Sequence, residues 1–196
     1  KFGALDVIVR VAIKGDPFTV NKATFSYYVN TKAARCMAFG PGVLATGTAG
    51  RRLAMIMQAK DSSGKNRSSG ADAIKVDVVG PSGALSEELT CVHDFGEGRY
   101  ELSYIPPVAG TYHVSVRLDE DAFDSEDNYV HIRGSPFVTM VDASATDGAT
   151  CTAQGNGVSG GVAGESFELD IQAKDIYYND QTKPGDNFTV VLQGTE

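Results

Sequence analysis

The sequence has little cysteine and no long apolar run, and each shortage excludes a class of protein. Its cysteines, Cys36, Cys91 and Cys151, are too few and too scattered for a disulfide framework, and no Cys/His pair has the spacing of zinc ligands. We therefore expect three reduced, buried thiols. No run approaches the roughly 20 apolar residues that span a bilayer, and no signal peptide is visible, so we expect no membrane partner for this segment.

Positive charge is also scarce. The 196 residues include 17 Lys and Arg against 25 Asp and Glu, a formal net charge of -8 at pH 7. Nucleic acids and anionic membranes require clustered basic residues, and the pair Arg51-Arg52 is too small a patch. The charge balance therefore excludes nucleic acid as an expected partner.

The two ends of the sequence indicate a segment of a longer polypeptide. Lys1 is not an initiator methionine, and the sequence stops at Glu196, soon after the apolar run at 190–192. Asn66 and Asn187 each begin an N-glycosylation sequon, a short pattern that leaves an extracellular setting open.

The chain contains one complete copy of a long repeat and the beginning of a second. Residues 36–43 (CMAFGPGV) recur as residues 151–158 (CTAQGNGV), 115 positions later. The tetrapeptide QAKD at 58–61 recurs at 172–175, and VDVV at 76–79 has its counterpart in FTVV at 188–191. A period of this length is a whole domain rather than a solenoid unit.

Apolar residues in the first copy alternate with polar ones, which predicts β-strands. Three such runs are Ile74, Val76 and Val78; Tyr100, Leu102 and Tyr104; and Tyr112, Val114, Val116 and Leu118. Gly/Pro turns separate them and no segment carries a helical stripe, so an antiparallel β-sandwich is predicted. In the second copy we expect strands at 166–171 and 188–192, with an apolar face left exposed.

The stretch 155-GNGVSGGVAG-164 contains the G-x-G-x-x-G spacing of a dinucleotide-binding turn. That turn must open a helix, but an alternating strand pattern follows it here. The equivalent stretch of the first copy, 40-GPGVLATGTAG-50, lacks the third glycine. We predict that these glycines supply positive-φ turns between the first two strands, and that no nucleotide cofactor binds.

A family resemblance emerges at 94-DFGEGRYELSYIPPVAGTYHVSV-116. This stretch resembles a filamin-type immunoglobulin-like repeat, as do the closing GSPF at 134–137 and the opening GPGV at 40–43. The resemblance covers residues 34–141 fully and 145–196 in part. It implies an all-β chain of tandem immunoglobulin-like antiparallel β-sandwiches, with a complete repeat at 31–141 and the first part of another at 142–196. An acidic insertion at 118–129 departs from the family pattern.

The first thirty residues resemble something else. The stretch 7-VIVRVAIKGDPFTVNKATFSYYV-29 is similar to the last hairpin of an IPT/TIG domain, which ends in a Phe-x-Tyr strand. An echo of GSPF in GDPF at 15–18 keeps the tail of another filamin repeat as the alternative for residues 1–30.

A TIG domain followed by filamin repeats is similar to the N-terminal tail region of axonemal outer-arm dynein heavy chains. The resemblance implies a structural, protein-interaction module in the cytoplasm, at the axoneme of a cilium or flagellum, with other dynein-arm or axonemal subunits as partners. An extracellular adhesion ectodomain and an actin-crosslinking scaffold remain alternatives, because filamin repeats occur in both.

The resemblance also implies a binding edge, since a strand-edge groove of filamin repeats takes up a partner's strand. The candidate edge residues here are Ile74, Lys75, Val76, Asp77, Val78 and Val79. The charges of Lys75 and Asp77 discourage indiscriminate strand pairing.

The acidic insertion is a second candidate contact. Its carboxylates are Asp119, Glu120, Asp121, Asp124, Glu126 and Asp127. They lack the spacing and the turn glycine of an EF-hand, so a solvated loop facing a basic partner is expected rather than a calcium site.

No catalytic constellation is visible, and we expect no enzyme activity, cofactor, metal or small-molecule substrate for this segment. The histidines, His93, His113 and His131, lie among strands, and His113 should face solvent. No nucleophile motif such as G-x-S-x-G is present. We expect Tyr100, Tyr104, Tyr112 and Phe137 to pack in the core and Asp94 to stabilise a turn.

Overall fold

The computed structural model describes residues 4–9, 12, 14, 17, 23–28, 30–44, 46–120 and 128–194. Its strands are β1 (Ala4–Val9), β2 (Ala23–Tyr28), β3 (Met37–Phe39), β4 (Gly47–Thr48), β5 (Leu53–Gln58), β6 (Ile74–Gly80), β7 (Gly83–Ala84), β8 (Thr90–Asp94), β9 (Arg99–Tyr104), β10 (Gly110–Asp119), β11 (Tyr129–His131), β12 (Phe137–Asp142), β13 (Thr152–Gln154) and β14 (Asp170–Gln172). A one-turn helix, α1 (Pro41–Leu44), and 3-10 turns at Ala33–Arg35, Glu87–Leu89 and Asn156–Val158 complete the elements.

Two sheets face each other in the first repeat. One has the strand order β4-β12-β10-β6-β7, with β11 pairing the end of β10, and the other has the order β3-β5-β9-β8. All neighbouring strands are antiparallel except β4 and β12, which run parallel. This arrangement confirms the predicted immunoglobulin-like β-sandwich.

The core lies between the inner faces of the two sheets, where the alternating apolar residues meet. Along β10 every second residue from Tyr112 to Leu118 is fully buried, and β5 alternates in the same way. β9 buries Tyr100, Leu102 and Tyr104, with Ser103 buried as well. The largest fully buried side chains are Tyr100, Tyr104, Tyr112, Met55, Met57, Leu102, Leu118, Ile132, Val78, Val114, Val116 and Thr139. Burial of this apolar surface is the main favourable contribution to folding.

The core tyrosines keep their hydroxyls hydrogen-bonded, as buried polar groups require. Tyr104 donates to the carbonyl of Gly42 at 3.0 Å, and Tyr100 donates to the Asp72 carboxylate at 2.6 Å. Burial raises the pKa of both phenols, so they remain protonated. The predicted core positions of Tyr100, Tyr104 and Tyr112 are confirmed, and Phe137 packs against the core while half-buried.

The second copy repeats the local geometry of the first. Cys36 Sγ lies 3.3 Å from the carbonyl oxygen of Lys32, and Cys151 Sγ lies 3.2 Å from that of Asp147. Each sulfur accepts a hydrogen bond at 3.4 Å from the backbone of the lysine in its own QAKD motif. The internal duplication is therefore visible in the structure as well as in the sequence.

Only part of the predicted strand pattern of the second copy is formed. β13 and β14 pair, and the glycine turn lies between them with Gly155 and Gly160 at φ of 110° and 109°, as expected. Of residues 166–171 only the last two belong to a strand, and the strand predicted at 188–192 is wrong. In the first repeat the equivalent strand β6 is held by β10, and no described residue of the second copy takes the place of β10.

The cysteine prediction is correct for one thiol and wrong for another. Cys36 is fully buried, and this burial raises its pKa to about 11. Cys151 is half-buried, whereas Cys91 is exposed on β8. The reason is that Val92 faces inward opposite Leu102, so the period of two turns Cys91 to the outer face of its sheet.

The hairpin predicted near the N-terminus is present. β1 and β2 pair antiparallel over six residues each, from Ala4 opposite Tyr28 to Val9 opposite Ala23. Whether it belongs to an IPT/TIG domain or to a filamin repeat stays a prediction. In the part of the chain that the structure describes, no helix has the length and apolar character needed to cross a membrane.

Candidate partner-binding groove

Two strands from opposite sheets, β6 and β8, border an open groove of about 360 Å³. The first five residues of β6 and the first three of β8 line it, and Leu85 and Glu87 lie between them. Five of the six predicted edge residues therefore line one cavity. Val79, which pairs with Ala84 of β7, does not line it.

The outer edge of β6 offers unpaired backbone groups. Ala73 accepts a hydrogen bond from Asp119 on the β10 side at 3.0 Å, and Val78 accepts one from Leu85 on the opposite side at 2.8 Å. Because an antiparallel ladder alternates, Ile74 and Val76 direct their N–H and C=O groups outward with Val78. Among the described residues, no strand pairs with this edge before Val79.

The groove is apolar inside and charged at its rim. Ile74 and Val76 are half-buried against the core, and Val92 of β8 leaves 43% of its surface exposed. On the outer face of β6, Asp77 forms an ion pair with Arg117, and Lys75 Nζ lies 5.9 Å from the centre of the Tyr129 ring. The geometry offers apolar contacts to the side chains of an added strand and hydrogen bonds to its backbone.

Sequence reasoning identified β6 but missed β8 as the opposite wall. The sequence TCVHD of β8 contains only one large aliphatic residue, Val92, and its four C-terminal residues are exposed. No alternation of apolar residues could therefore have revealed this strand. The only signal was Asp94 at its end, which accepts hydrogen bonds at 2.7 Å from the N–H groups of Gly96 and Ala71, and so stabilises the turn as predicted.

The structure describes only part of the acidic insertion at 118–129. Glu120 is turned toward the protein, where it pairs with Lys32 and accepts a hydrogen bond at 2.7 Å from the backbone of Ala33. Asp119 donates its own backbone N–H to Ala73. The remaining carboxylates, Asp121, Asp124, Glu126 and Asp127, lie outside the described residues.

The histidines occupy exposed positions, as predicted for His113. His131 Nδ1 lies 2.9 Å from Ser135 Oγ, and that oxygen accepts the backbone N–H of Val116 at 2.8 Å. This arrangement secures the loop before β12. Within the described ranges, no three His, Cys, Asp or Glu side chains form a group that could hold a metal ion.

Comparison with known proteins gives a match to one family and to proteins much longer than this chain. Residues 30–138 match the Filamin/ABP280 repeat. Over 146 residues the chain is 42% identical to the dynein alpha chain of the flagellar outer arm of Chlamydomonas reinhardtii, a match that covers 74% of this chain and 3% of that protein. Over 166 residues it is 26% identical to Filamin-A of Drosophila melanogaster, which covers 83% of this chain and 6% of that protein.

A solved structure shares the fold. The Escherichia coli adhesin FdeC aligns with a TM-score of 0.52 at 19% identity, covering 92% of this chain and 52% of the adhesin. The chain thus spans only a few per cent of the two relatives in the sequence comparison.

Proposed function

Because this chain belongs to the filamin repeat family, we propose that it is a protein-interaction module in the tail of an axonemal outer-arm dynein heavy chain. The observation that carries the proposal is the 42% identity to the flagellar outer-arm alpha chain over three quarters of the sequence. In this proposal the module docks or positions the motor assembly, its partners are other arm or axonemal subunits, and its location is the axoneme.

The proposed domain organisation follows the sequence boundaries. Residues 1–30 end an IPT/TIG domain, residues 31–141 form a complete filamin repeat and residues 142–196 begin the next. The filamin repeat is a structural domain without catalytic activity, so the motor chemistry of such a parent protein would be supplied by other regions.

We propose strand addition at β6 as the mode of binding. An extended partner segment would hydrogen-bond to the outward N–H and C=O groups of Ile74 and Val76, and alternate side chains of that segment would contact Val92 and Leu85. Lys75 and Asp77 at the rim would disfavour partners of mismatched charge.

The identity of the parent protein is tested by an intact mass and a peptide map of the native polypeptide that contains this segment. Kelch repeats before it and P-loop ATPase modules after it, in a chain of several hundred kilodaltons, are the expected result. An actin-binding domain would instead indicate a crosslinker. A signal peptide with glycans on Asn66 or Asn187 would indicate an adhesion protein, and either result would contradict the dynein proposal.

The groove is tested by two substitutions that act from opposite walls. Val76→Pro removes an outward N–H without touching the hydrogen bonds that β6 makes to β10, and Val92→Asp places a charge among the apolar contacts. We expect each to weaken capture of outer-arm complexes, released from axonemes by salt, by about tenfold or more. The measurement is a quantitative pull-down with the chain as bait.

Val138→Asp is the matched control, because Val138 is an exposed valine of β12, outside the groove. We expect it to bind as the unsubstituted chain does. Hydrogen exchange of the β10 amides checks that Val76→Pro has kept the sheet intact. Capture that survives Val76→Pro in a folded chain would count against the groove while leaving the dynein assignment untouched.

A further inference from the structure

A second cavity, separate from the β6–β8 groove, is lined by positive charge. It has a volume of about 380 Å³ and lies beside the 3-10 turn at Ala33–Arg35. Arg35, Lys60 and Arg133 line it together with Ala34, Met37 and Gly64, and no carboxylate is among the lining residues. We call this cavity the basic pocket, and Arg35, Lys60 and Arg133 are its three cations.

The charges of the basic pocket are not neutralised by the described part of the chain. Within the described ranges, ion pairs form at Lys32, Arg52, Arg99, Arg117, Lys174 and Lys183, and Arg35, Lys60 and Arg133 are not among these. Three uncompensated cations in one cavity are unexpected on a chain whose formal net charge is -8. Their mutual repulsion is relieved when an anion binds.

In the second copy, the lysine equivalent to Lys60 has an ion-pair partner. Lys174 occupies the position of Lys60 and forms an ion pair with Asp180. Lys60 forms an isolated β-bridge with Asn66, and Lys174 forms the equivalent β-bridge with Asp180. The first repeat therefore has an uncharged amide at the position where the second repeat has a carboxylate. Thr150 holds the position of Arg35 in the repeat alignment.

The walls of the basic pocket are fixed by backbone contacts. Asp61 accepts hydrogen bonds from the N–H groups of Ser63 at 2.8 Å and Lys65 at 3.0 Å, which orders the loop that carries Gly64. Met37 forms an isolated parallel β-bridge with Arg133. Glu120 accepts a hydrogen bond from the N–H of Ala33, at the start of the 3-10 turn that carries Arg35. The cations are therefore presented from a structured surface.

We propose that the basic pocket binds an acidic segment of a partner protein through several carboxylates. Arg35 and Arg133 are exposed, and single ion pairs at exposed positions contribute little, so a ligand gains affinity only by engaging several cations at once. The planar guanidinium groups match carboxylates in geometry, and the side chain of Met37, 38% exposed, offers apolar contact to the same segment.

The test uses a fluorescein-labelled peptide of ten glutamates and measures anisotropy at low salt on the full chain. Asn66→Asp gives Lys60 the partner that Lys174 has, and we expect it to weaken binding several-fold without disturbing the fold. Combined Arg35→Gln, Lys60→Gln and Arg133→Gln should weaken binding by about tenfold or more, and raising the salt to about 0.3 M should do the same.

Matched controls change the charge equally elsewhere. Asn187→Asp adds one negative charge, and combined Arg51→Gln, Arg52→Gln and Arg99→Gln remove three exposed cations from the same repeat. We expect these variants to bind within about twofold of the unsubstituted chain. Equal loss in the pocket and control variants, or no saturable binding up to millimolar protein, would overturn the proposal. Inorganic phosphate that shifts the pocket amides in NMR spectra where the peptide does not would also overturn it.

Discussion

The hydroxyl of Tyr112 closes a turn between the two sheets. It donates to the carbonyl of Val108 at 2.7 Å and accepts the N–H of the same residue at 3.2 Å, at the point where the chain passes from β9 to β10. Tyr112 is itself fully buried, and burial raises its pKa. A single side chain thus fixes both a core position and the direction of the chain, like the tyrosine corner of immunoglobulin-like sandwiches.

Replacing Tyr112 by Phe leaves the ring in the core but removes the partner of both backbone groups of Val108. We expect a loss of about 1–3 kcal/mol in the free energy of unfolding, the usual cost of unsatisfied buried polar groups. Urea unfolding followed by circular dichroism measures it. Tyr178→Phe is the control, because Tyr178 is 72% exposed, and it should change stability by less than about 0.5 kcal/mol.

Asp175 makes the second repeat sensitive to acid. Burial alone would raise its pKa, but hydrogen bonds from the Asn179 side chain and from the backbone N–H groups of Ser144, Asn179 and Tyr177 outweigh burial and lower the pKa. A depressed pKa in the folded state stabilises the protein at pH values above the ordinary aspartate pKa of about 3.9. That stabilisation is lost as the pH falls through the folded value.

We therefore expect Asp175→Asn to destabilise the second repeat at pH 7 and to differ less from the unsubstituted chain as the pH falls below about 4. Hydrogen exchange of the Asn179 amide as a function of pH measures the difference. A difference that stays constant from pH 7 to pH 3 would show that the charge of Asp175 does not stabilise the loop.

At the level of strands, the sequence predicted those strands whose apolar residues recur at every second position. β6, β9 and β10 lie where the alternating runs placed them, since each buries one face. β8 could not be found in this way, because Val92 is its only large aliphatic residue and its four C-terminal residues are exposed. The error at 188–192 has the opposite cause: an alternating apolar run forms a strand only beside a partner strand.

For the same reason, only one of the two walls of the groove was predictable from the sequence. Its β6 wall carries the apolar pattern of a strand, and the family resemblance implied its role. Its β8 wall depends on pairing with β9, a long-range contact that leaves no local pattern. The basic pocket was invisible for a related reason, since Arg35, Lys60 and Arg133 are far apart in sequence and only the fold unites them.

The central position of β9 predicts a large effect for its buried residues. Leu102 is fully buried between β5 and β8, opposite Met55 and Val92. Leu102→Ala should lower the free energy of unfolding by about 2–5 kcal/mol, because it removes buried methyl groups and leaves a cavity. Chemical denaturation measures this, with Val138→Ala at an exposed strand position as the control.

For the whole molecule, a buried amide of the second repeat bonds directly to the first repeat. Asn179 Oδ1 accepts the N–H of Ala109 at 2.9 Å, and Nδ2 donates to the carbonyl of Pro107 at 3.0 Å. Tyr177 of the same loop packs against Gly50, where a positive φ of 73° and the ring itself leave no room for a side chain. The second repeat is therefore attached to the first by directional contacts in addition to the connecting chain.

Asn179→Ala should loosen this joint, and it also removes the hydrogen bond that the Asn179 side chain donates to Asp175 within the second repeat. NMR residual dipolar couplings measure the mutual orientation, and we expect the two repeats to align independently in the variant. Lys65→Ala is the control, since Lys65 holds the equivalent position in the loop of the first repeat. Unchanged alignment in Asn179→Ala would show that the amide does not hold the repeats together.

The parallel pairing of β4 with β12 has a consequence for a chain under tension. The two strands run in the same direction, so the start of β4 and the end of β12 lie at opposite ends of this pair. A pull applied between the start of β4 and the end of β12 would therefore act along the strands. It loads the hydrogen bonds of β12 to β4 and to β10 together, in shear, instead of opening them one after another. We therefore expect this strand pair to resist such a pull better than a pair that opens one hydrogen bond at a time.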